Sequence, residues 1–462
     1  MALTKVDLKG LNDGTDGQII TYDANGNPVA VGPGTDGQVL TSTGAGSPPA
    51  FENNYVHPNH SGEVTSTADG AQVIADNIVD EANLKVDNSP TNDHVLTAKS
   101  SAAGGLTWAE VSSSDTLSFR NLIINGAFNI AQRGTSSTGT NYKTVDRFKS
   151  SHTGEDEACT QSQISLTSSD TGPWAKGFRK AYQVQNGNQS SGAGADDYAY
   201  IAYLPEAQDI ANSGWDYTSA SSYITLSFWV KSSVAQNFYG HIQTDDGTAQ
   251  RYAFETGSLS ANTWTKITKS IPGNSSIQMD NNNDLGMYIY WWQFLGTSKT
   301  DSSSLNTWAA YTSGSRTPDN TSTWWTTNDA TWAITGVQLE VGSTATEFEH
   351  RSYAEELARC QRYYIKTTDG DVCAGRGASG TEVMASYATP VPLRANPSIT
   401  HTGQWLAYQP SNNHTNSSSD PTLVGISSGY VTFMSKGHTS IQDNKCISLM
   451  SNNGVTQFSA EL

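Results

Sequence analysis

The chain has 462 residues, room for several domains at the ~100–200 residues a domain commonly uses, so an inadequate core is excluded as a concern. Its 26 Lys and Arg against 44 Asp and Glu give a net charge of −18, which offers neither phosphate backbones nor anionic lipid an electrostatic footprint, and neither nucleic-acid binding nor membrane insertion is expected. Charged residues make up only 15%, yet 12 Trp and 20 Tyr argue against disorder and, with the abundant Gly and Thr, for strands and turns.

No run approaches the ~18 apolar residues of a membrane span, and Met1-Ala2-Leu3-Thr4-Lys5 has no apolar core behind its lysine, so no secretory signal is expected. Cys159, Cys360, Cys373 and Cys446 are too scattered for a disulfide framework or a metal site and are expected to be reduced and buried.

The first segment repeats. Gly14-Thr15-Asp16-Gly17-Gln18-Ile19-Ile20-Thr21 recurs twenty residues later as Gly34-Thr35-Asp36-Gly37-Gln38-Val39-Leu40-Thr41, and more loosely as Pro90 to Thr97. The copies beginning near Gly34 and Pro90 continue to one aromatic each, Phe51 and Trp108. Each copy predicts a strand, a glycine turn and a second strand, too small to bury its apolar side alone. Residues 1–60, with the repeats, and 61–118 are therefore read as a thin stalk whose apolar side neighbouring chains cover. Between the copies, Ile74 to Val86 fits both a helical stripe and a period of five, and the two stay open.

From Ser118 the pattern becomes alternating. Ile224, Leu226, Phe228 and Val230 alternate with Tyr223, Thr225, Ser227 and Trp229, which predicts a half-buried antiparallel strand. Similar runs cover 121–131, 238–243, 264–271, 285–295 and 331–341, and together they predict a mainly β chain with a β-sandwich or jelly roll at 119–349. Ser352 with Glu355 forms a capping box, and Tyr353, Leu357, Cys360 and Tyr364 share one stripe with heptad spacing, so 350–364 is read as a connecting helix. Short strands and loops over 365–462 predict a small terminal β domain.

Three phrases carry a family resemblance: the Gly34 to Thr41 repeat; Asn121-Leu122-Ile123-Ile124-Asn125-Gly126-Ala127-Phe128-Asn129 through Gly134, with Val145-Asp146-Arg147-Phe148 after it; and Gly336-Val337-Gln338-Leu339-Glu340-Val341-Gly342 running into Phe348-Glu349-His350-Arg351-Ser352-Tyr353 and Cys360-Gln361-Arg362-Tyr363-Tyr364. In this order they resemble the tail fibres of bacteriophages, especially marine and cyanobacterial ones. The middle domain also resembles carbohydrate-binding jelly rolls, which open with a similar Asn-Gly-x-Phe. That family has Asp where Ala127 stands and an acidic pair where only Glu340 stands, and these are the positions on which its structural calcium depends. The resemblance implies a homotrimeric virion fibre, assembled in the host cytoplasm, docked through its N-terminal region on a baseplate, tail or adaptor protein, and binding a host surface polysaccharide at a C-terminal tip or in the jelly roll. A head-decorating or purely structural fibre, a fibre of a phage-tail-like injection device, and a bacterial carbohydrate-binding adhesin are the alternatives.

Two constellations bear on chemistry. His57-Pro58-Asn59-His60 could bring six imidazoles from three chains onto a trimer axis around a transition metal, or Pro58 makes a turn with both rings in water. Within Leu285 to Leu295, Met287, Ile289, Trp291 and Leu295 share one strand face, which leaves Tyr288, Tyr290, Trp292 and Phe294 on the other. One face must point away from the core unless a second layer covers it, and adjacent Trp324-Trp325 poses the same problem in an extended segment. Exposed aromatic rows bind sugars by stacking, so Tyr288, Tyr290, Trp292, Trp324 and Trp325 are candidate glycan contacts, with cover by a loop or a neighbouring chain as the alternative. The acidic pairs Asp196-Asp197 and Asp245-Asp246 and the runs 280–284 and 369–371 could hold calcium or act as paired catalytic carboxylates, or they cap the turns among whose residues they sit; with no catalytic motif present no enzyme is expected.

Overall fold

The structure is a computed structural model that describes residues 13–53, 64–66, 72–74, 84–89, 92, 94–110, 120–409 and 414–462. His57 and His60, and most of the undecided stretch after Ile74, lie outside the described residues. The chain divides into two units, 1–111 and 112–462.

The first unit is a series of hairpins. Strand β1 (Ile19–Tyr22) pairs with β2 (Pro28–Val31), β3 (Gln38–Thr41) with β4 (Ala50–Asn53), β5 (Val64–Ser66) with β6 (Gln72–Ile74), and β7 (His94–Ala98) with β8 (Leu106–Glu110), all antiparallel. The Gly-Thr-Asp-Gly-Gln repeat is a turn that closes on itself. Gln18 and Gln38 donate backbone N–H to Thr15 and Thr35 O at 3.1 Å, and their side-chain carbonyls accept from the Thr15 and Thr35 amides at 2.9 Å. Gly17 and Gly37 sit at φ 81° and 87°, which a side chain would strain. Leu40 lies opposite Phe51 and Leu96 opposite Trp108, so two copies of the repeat share one register. Their apolar side stays open: Ile20 is 50% exposed, Leu40 44% and Leu96 37%.

In the second unit, strands β9 (Ser136–Ser137), β10 (Phe148–Thr153), β11 (Thr160–Ser165), β12 (Lys180–Gln185), β13 (Tyr198–Tyr203), β14 (Tyr223–Ser232), β15 (Asn237–Thr244), β16 (Gln250–Ser258), β17 (Thr265–Pro272), β18 (Met287–Leu295), β19 (Trp308–Ala310) and β20 (Thr331–Val341) build two six-stranded sheets. Their orders are β10-β13-β18-β15-β16-β19 and β17-β14-β20-β12-β11-β9, with every pair antiparallel. The alternation of β14 works as read: Ile224, Leu226, Phe228 and Val230 enter the core between the sheets, where Phe228 meets Trp291 edge-on at 5.8 Å. This is a mainly β chain with a β-sandwich at its centre.

Two of the expected elements are corrected. Residues 121–131 form no strand; a buried irregular segment runs there, held by side chains in place of a ladder. Asn121 Oδ1 accepts from Ile123 and Leu339 N–H at 3.0 and 3.1 Å, and Asn125 Nδ2 donates to Ile130 and Asp146 O at 2.8 and 2.9 Å. Gly126 is required at this point, since a Cβ on it would lie 2.0 Å from Val337 O. Among the cysteines, all four are free thiols, but only Cys159, Cys360 and Cys373 are buried; Cys446 is exposed, because it opens the alternating strand Cys446–Asn452 on its outward face.

Short helices α1 (Ala207–Ala211) and α2 (Thr323–Thr326) interrupt the sandwich, and α3 (Tyr353–Gln361) follows it. Ser352 caps α3 by accepting from Glu355 N–H at 3.3 Å. The helix is shorter than the stripe implied: Tyr364 lies beyond it in a strand, and Tyr353 is 63% exposed. The terminal region holds β21 (Tyr364–Lys366), β22 (Val372–Ser379), β23 (Glu382–Ala388), β24 (Ser398–His401), β25 (Gln404–Tyr408), β26 (His414–Ser417), β27 (Thr422–Ser427), β28 (Tyr430–Lys436), β29 (Cys446–Asn452) and β30 (Thr456–Ser459). They form a seven-stranded sheet, β26-β25-β29-β22-β23-β28-β27, and a three-stranded one, β21-β30-β24.

This region is joined to the sandwich by buried charge. Arg147, fully buried, pairs with Glu461, donates to Leu204 O at 2.6 Å and lies 3.4 Å from the centre of the Tyr363 ring. Arg133 reaches Glu461 at 3.2 Å, and Arg362 holds Glu206 through two bonds at 2.9 and 2.8 Å.

Candidate functional site

The sheet β10-β13-β18-β15-β16-β19 has one face in the core and one turned outward. On β18 the core face carries Met287, Ile289 and Trp291, and the outer face Tyr288, Tyr290 and Trp292, as the parity predicts. The parity then breaks. Ala199 pairs with Phe294 and Tyr200 with Trp292, so Gln293 is an extra residue in a bulge, and Phe294 turns into the core against Trp325 at 5.2 Å. The outward row therefore ends at Trp292, and Phe294 is removed from it.

Neighbouring strands extend the row sideways. Tyr200 lies opposite Trp292, and Tyr290 and Tyr288 stand opposite His241 and Gln243 of β15. The Tyr200 ring meets Tyr290 and Trp292 edge-on at 5.1 Å each, whereas Tyr290 and Trp292 stack with ring centres 5.2 Å apart. Trp292 is only 1% exposed and forms the floor; Tyr198, Tyr200, Tyr290 and Tyr311 are half-buried walls. Together with Gln243, Lys299 and Arg316 they enclose a trough of about 290 Å³.

The floor is held from the side, by β15. Trp292 Nε1 donates to His241 Nδ1 at 2.9 Å, and the imidazole lies nearly parallel to the indole at 2°. Burial, followed by the Arg316 and Arg251 cations, pushes His241 well below the usual imidazole range, so it is the neutral acceptor this bond needs. Burial and then the neighbouring Tyr200 raise the Tyr290 phenol, which keeps it protonated and able to donate. Tyr288 is pushed up to about 12 by burial and then Asp245, and stacks on Tyr290 at 5.5 Å at the end of the row.

One wall comes from the loop after β18. Arg316 N–H donates to Lys299 O at 3.0 Å, pinning the two ends of that loop, and Arg316 Nε donates to Tyr311 Oη at 3.1 Å. The trough thus offers flat aromatic rings, an amide and two cations, a set suited to stacking on the C–H face of a sugar and bonding its hydroxyls.

Trp324 and Trp325 do not join this site. They lie in α2 and are both 0% exposed, so the extended geometry on which their exposure was argued does not occur. Trp325 Nε1 donates to Gly192 O at 2.9 Å, and Asn186 Nδ2 donates to the Trp325 carbonyl at 2.5 Å, which anchors the pair inside the core. Tyr198, Tyr200, Gln243, Tyr311 and Arg316 were missed. The spacing of Tyr198 and Tyr200 at i and i+2 signals a shared strand face, but nothing local places that face beside β18, and the loop residues carry no periodic signal.

Calcium does not fit at the positions the jelly-roll resemblance indicates. Ala127 supplies no side-chain oxygen, and the buried Glu340 carboxylate accepts from Thr346 N–H and Oγ1 at 2.9 and 2.6 Å, with Arg120 Nε 3.5 Å away. Among the described residues no group of three His, Cys, Asp or Glu is placed to hold a metal ion.

The sequence matches no protein-family model and no curated protein. Among solved structures, the enzymatically active domain of tailspike protein 4 from bacteriophage CBA120 is similar over 48% of this chain and 21% of its own, at 12% identity and a TM-score of 0.25. A family 11 carbohydrate-binding module from Clostridium thermocellum is similar over 46% of this chain and 96% of its own, at 13% identity and a TM-score of 0.22. A sugar-binding protein from Bacteroides thetaiotaomicron is similar over 48% and 100%, at 11% identity and a TM-score of 0.25. Likeness at this level transfers no residue and no activity to this chain.

Proposed function

We propose that the chain is a non-enzymatic virion fibre that attaches a phage to its host through a surface glycan held in the trough of β18. The observation that carries this reading is the outward aromatic floor and walls of Tyr198, Tyr200, Tyr290 and Trp292 on a rigid sheet. A concave trough lined by aromatic rings with a few placed polar groups is the usual form of a small-ligand site. No Asp or Glu lines the trough, whereas glycoside hydrolysis of the two-carboxylate kind needs a pair.

The open apolar side of the hairpins supports a parallel homotrimer, in which copies of the chain cover Ile20, Leu40 and Leu96. An axial metal on His57 and His60, docking on a baseplate, tail or adaptor protein through the N-terminal region, and assembly in the host cytoplasm belong to the same reading. Each stacked ring contributes ~1 kcal/mol, so one site is weak, and three on one fibre raise avidity by ~10²–10⁴.

The test is binding of the full chain to a glycan panel and to host cells, beside Tyr290→Ala and Tyr200→Ala. Loss of binding in both variants without released oligosaccharide supports the reading. Binding that survives both substitutions places recognition elsewhere, and release of sugar makes the protein an enzyme.

A further inference from the structure

The trough is electrostatically opposite to the molecule around it. The chain carries 44 acidic against 26 basic residues, yet the trough is lined by Lys299 and Arg316 and by no carboxylate. Lys299 shares its charge with the exposed Asp196 at 3.4 Å. Arg316 has no such partner: among the described residues no carboxylate lies within 4.0 Å of it, and its only side-chain hydrogen bond, Nε to Tyr311 Oη at 3.1 Å, leaves both terminal nitrogens without a protein acceptor. The bond holds the guanidinium by its root and leaves the fork free.

Behind it stands a second cation, answered by Asp301 only from beyond ion-pair distance. Arg251 of β16 is 5% exposed, its Nε has no hydrogen-bond partner, and its Nη1 contact is the Arg316 carbonyl at 3.5 Å. Among the described residues it too forms no ion pair. A buried guanidinium without a counter-charge is costly, and proteins normally supply an acid beside it. Although the chain is rich in acids, among the described residues none is in ion-pair contact with Arg251 or Arg316. After burial, the two cations depress His241 further, and Arg316 opposes the upward shift that burial gives the Tyr200 and Tyr290 phenols.

We infer that the glycan of this trough is acidic, and that a carboxylate or sulfate on one sugar ring docks on the free fork of Arg316 while the ring stacks on the tyrosine walls. The inference rests on the trough being the glycan site. It adds a charge requirement that stacking alone lacks: a planar guanidinium receives two anionic oxygens in parallel, whereas a neutral hydroxyl accepts one bond. The overall negative charge does not forbid this, since screening confines repulsion to about 8 Å at physiological ionic strength.

The experiment compares the full chain on polygalacturonate, its carboxyl-reduced neutral counterpart, dextran sulfate and unsulfated dextran. The expected result is binding to at least one acidic polymer at least about tenfold tighter than to its neutral counterpart. The two acidic polymers separate carboxylate from sulfate recognition. Arg316→Gln should cut acidic binding down to about the neutral level while lowering neutral binding by a much smaller factor, and Arg316→Lys should restore part of the preference. A purely structural Arg316, holding the loop through Tyr311, would instead lower acidic and neutral binding together. Equal binding to charged and neutral partners overturns the charge requirement and leaves the glycan site standing. Absence of binding to all four polymers, together with host-cell attachment that ignores Tyr290→Ala, overturns both.

Discussion

The hairpins of the first unit and the sandwich of the second solve the same problem differently. Both are made of antiparallel strands with apolar residues at alternate positions, but β14 brings Ile224, Leu226, Phe228 and Val230 to essentially full burial, whereas Leu40 and Leu96 stay more than a third exposed beside their cross-strand aromatics. The difference is one of layers. A two-stranded ribbon has nothing to put over its apolar side, while each six-stranded sheet has the other. Apolar alternation therefore specifies a face, and the number of strands decides whether the chain can close that face alone.

The sharpest way to expose this contrast is a substitution on each side of it. Trp325→Ala opens a large cavity in a sealed core and should cost about 3–5 kcal/mol of stability, read by denaturant unfolding of the full chain. Leu40→Asn with Leu96→Asn should leave that transition in place and act on assembly: light scattering should give about three times 49.4 kDa for the native chain and a single-chain mass for the double variant. A monomeric native protein would remove the reason for the open faces.

A smaller effect is expected at the trough. Tyr290→Ala should weaken glycan binding by about 1 kcal/mol per site, seen in titration with soluble oligosaccharide, with little change in unfolding because its outer side faces the trough. The smallest concerns Asp209, whose carboxyl is raised to about 6 by burial and then by the Glu206 charge. A raised carboxyl favours the fold while protonated, so its contribution is present below the usual carboxylate value of 3.8 and is lost as pH rises through about 6. Asp209→Asn should flatten the fall of melting temperature across that window, and an unchanged slope would show that Asp209 does not titrate there.

Much of the sandwich was legible because its strands are long and alternate: β20 spans Thr331–Val341, the run read from the sequence. The bulge at Gln293 was not legible, since an extra residue is defined only against the partner strand. It moved Phe294 from the outward row to the core. Trp324 and Trp325 misled because four residues, Thr323–Thr326, are too few to display a helical period. Residues 121–131 alternate like a strand, yet the Asn121 and Asn125 side chains supply the bonds a ladder would have made. The aromatic row of Tyr288, Tyr290 and Trp292 was visible in sequence, but Arg316 and Tyr311, delivered by a loop, were not.

The Arg147–Glu461 pair has a consequence for biosynthesis. Its members are 314 residues apart, so at translation rates of ~5–20 residues per second Arg147 waits roughly 15–60 s for its counter-ion to be made. Once the strands up to Val341 are made, the two sheets can close around a buried cation that stays unanswered until Glu461 is added. Completion of the second unit thus waits for Glu461, and a chain released before that residue should be a substrate for chaperones and proteases rather than a shortened but native protein.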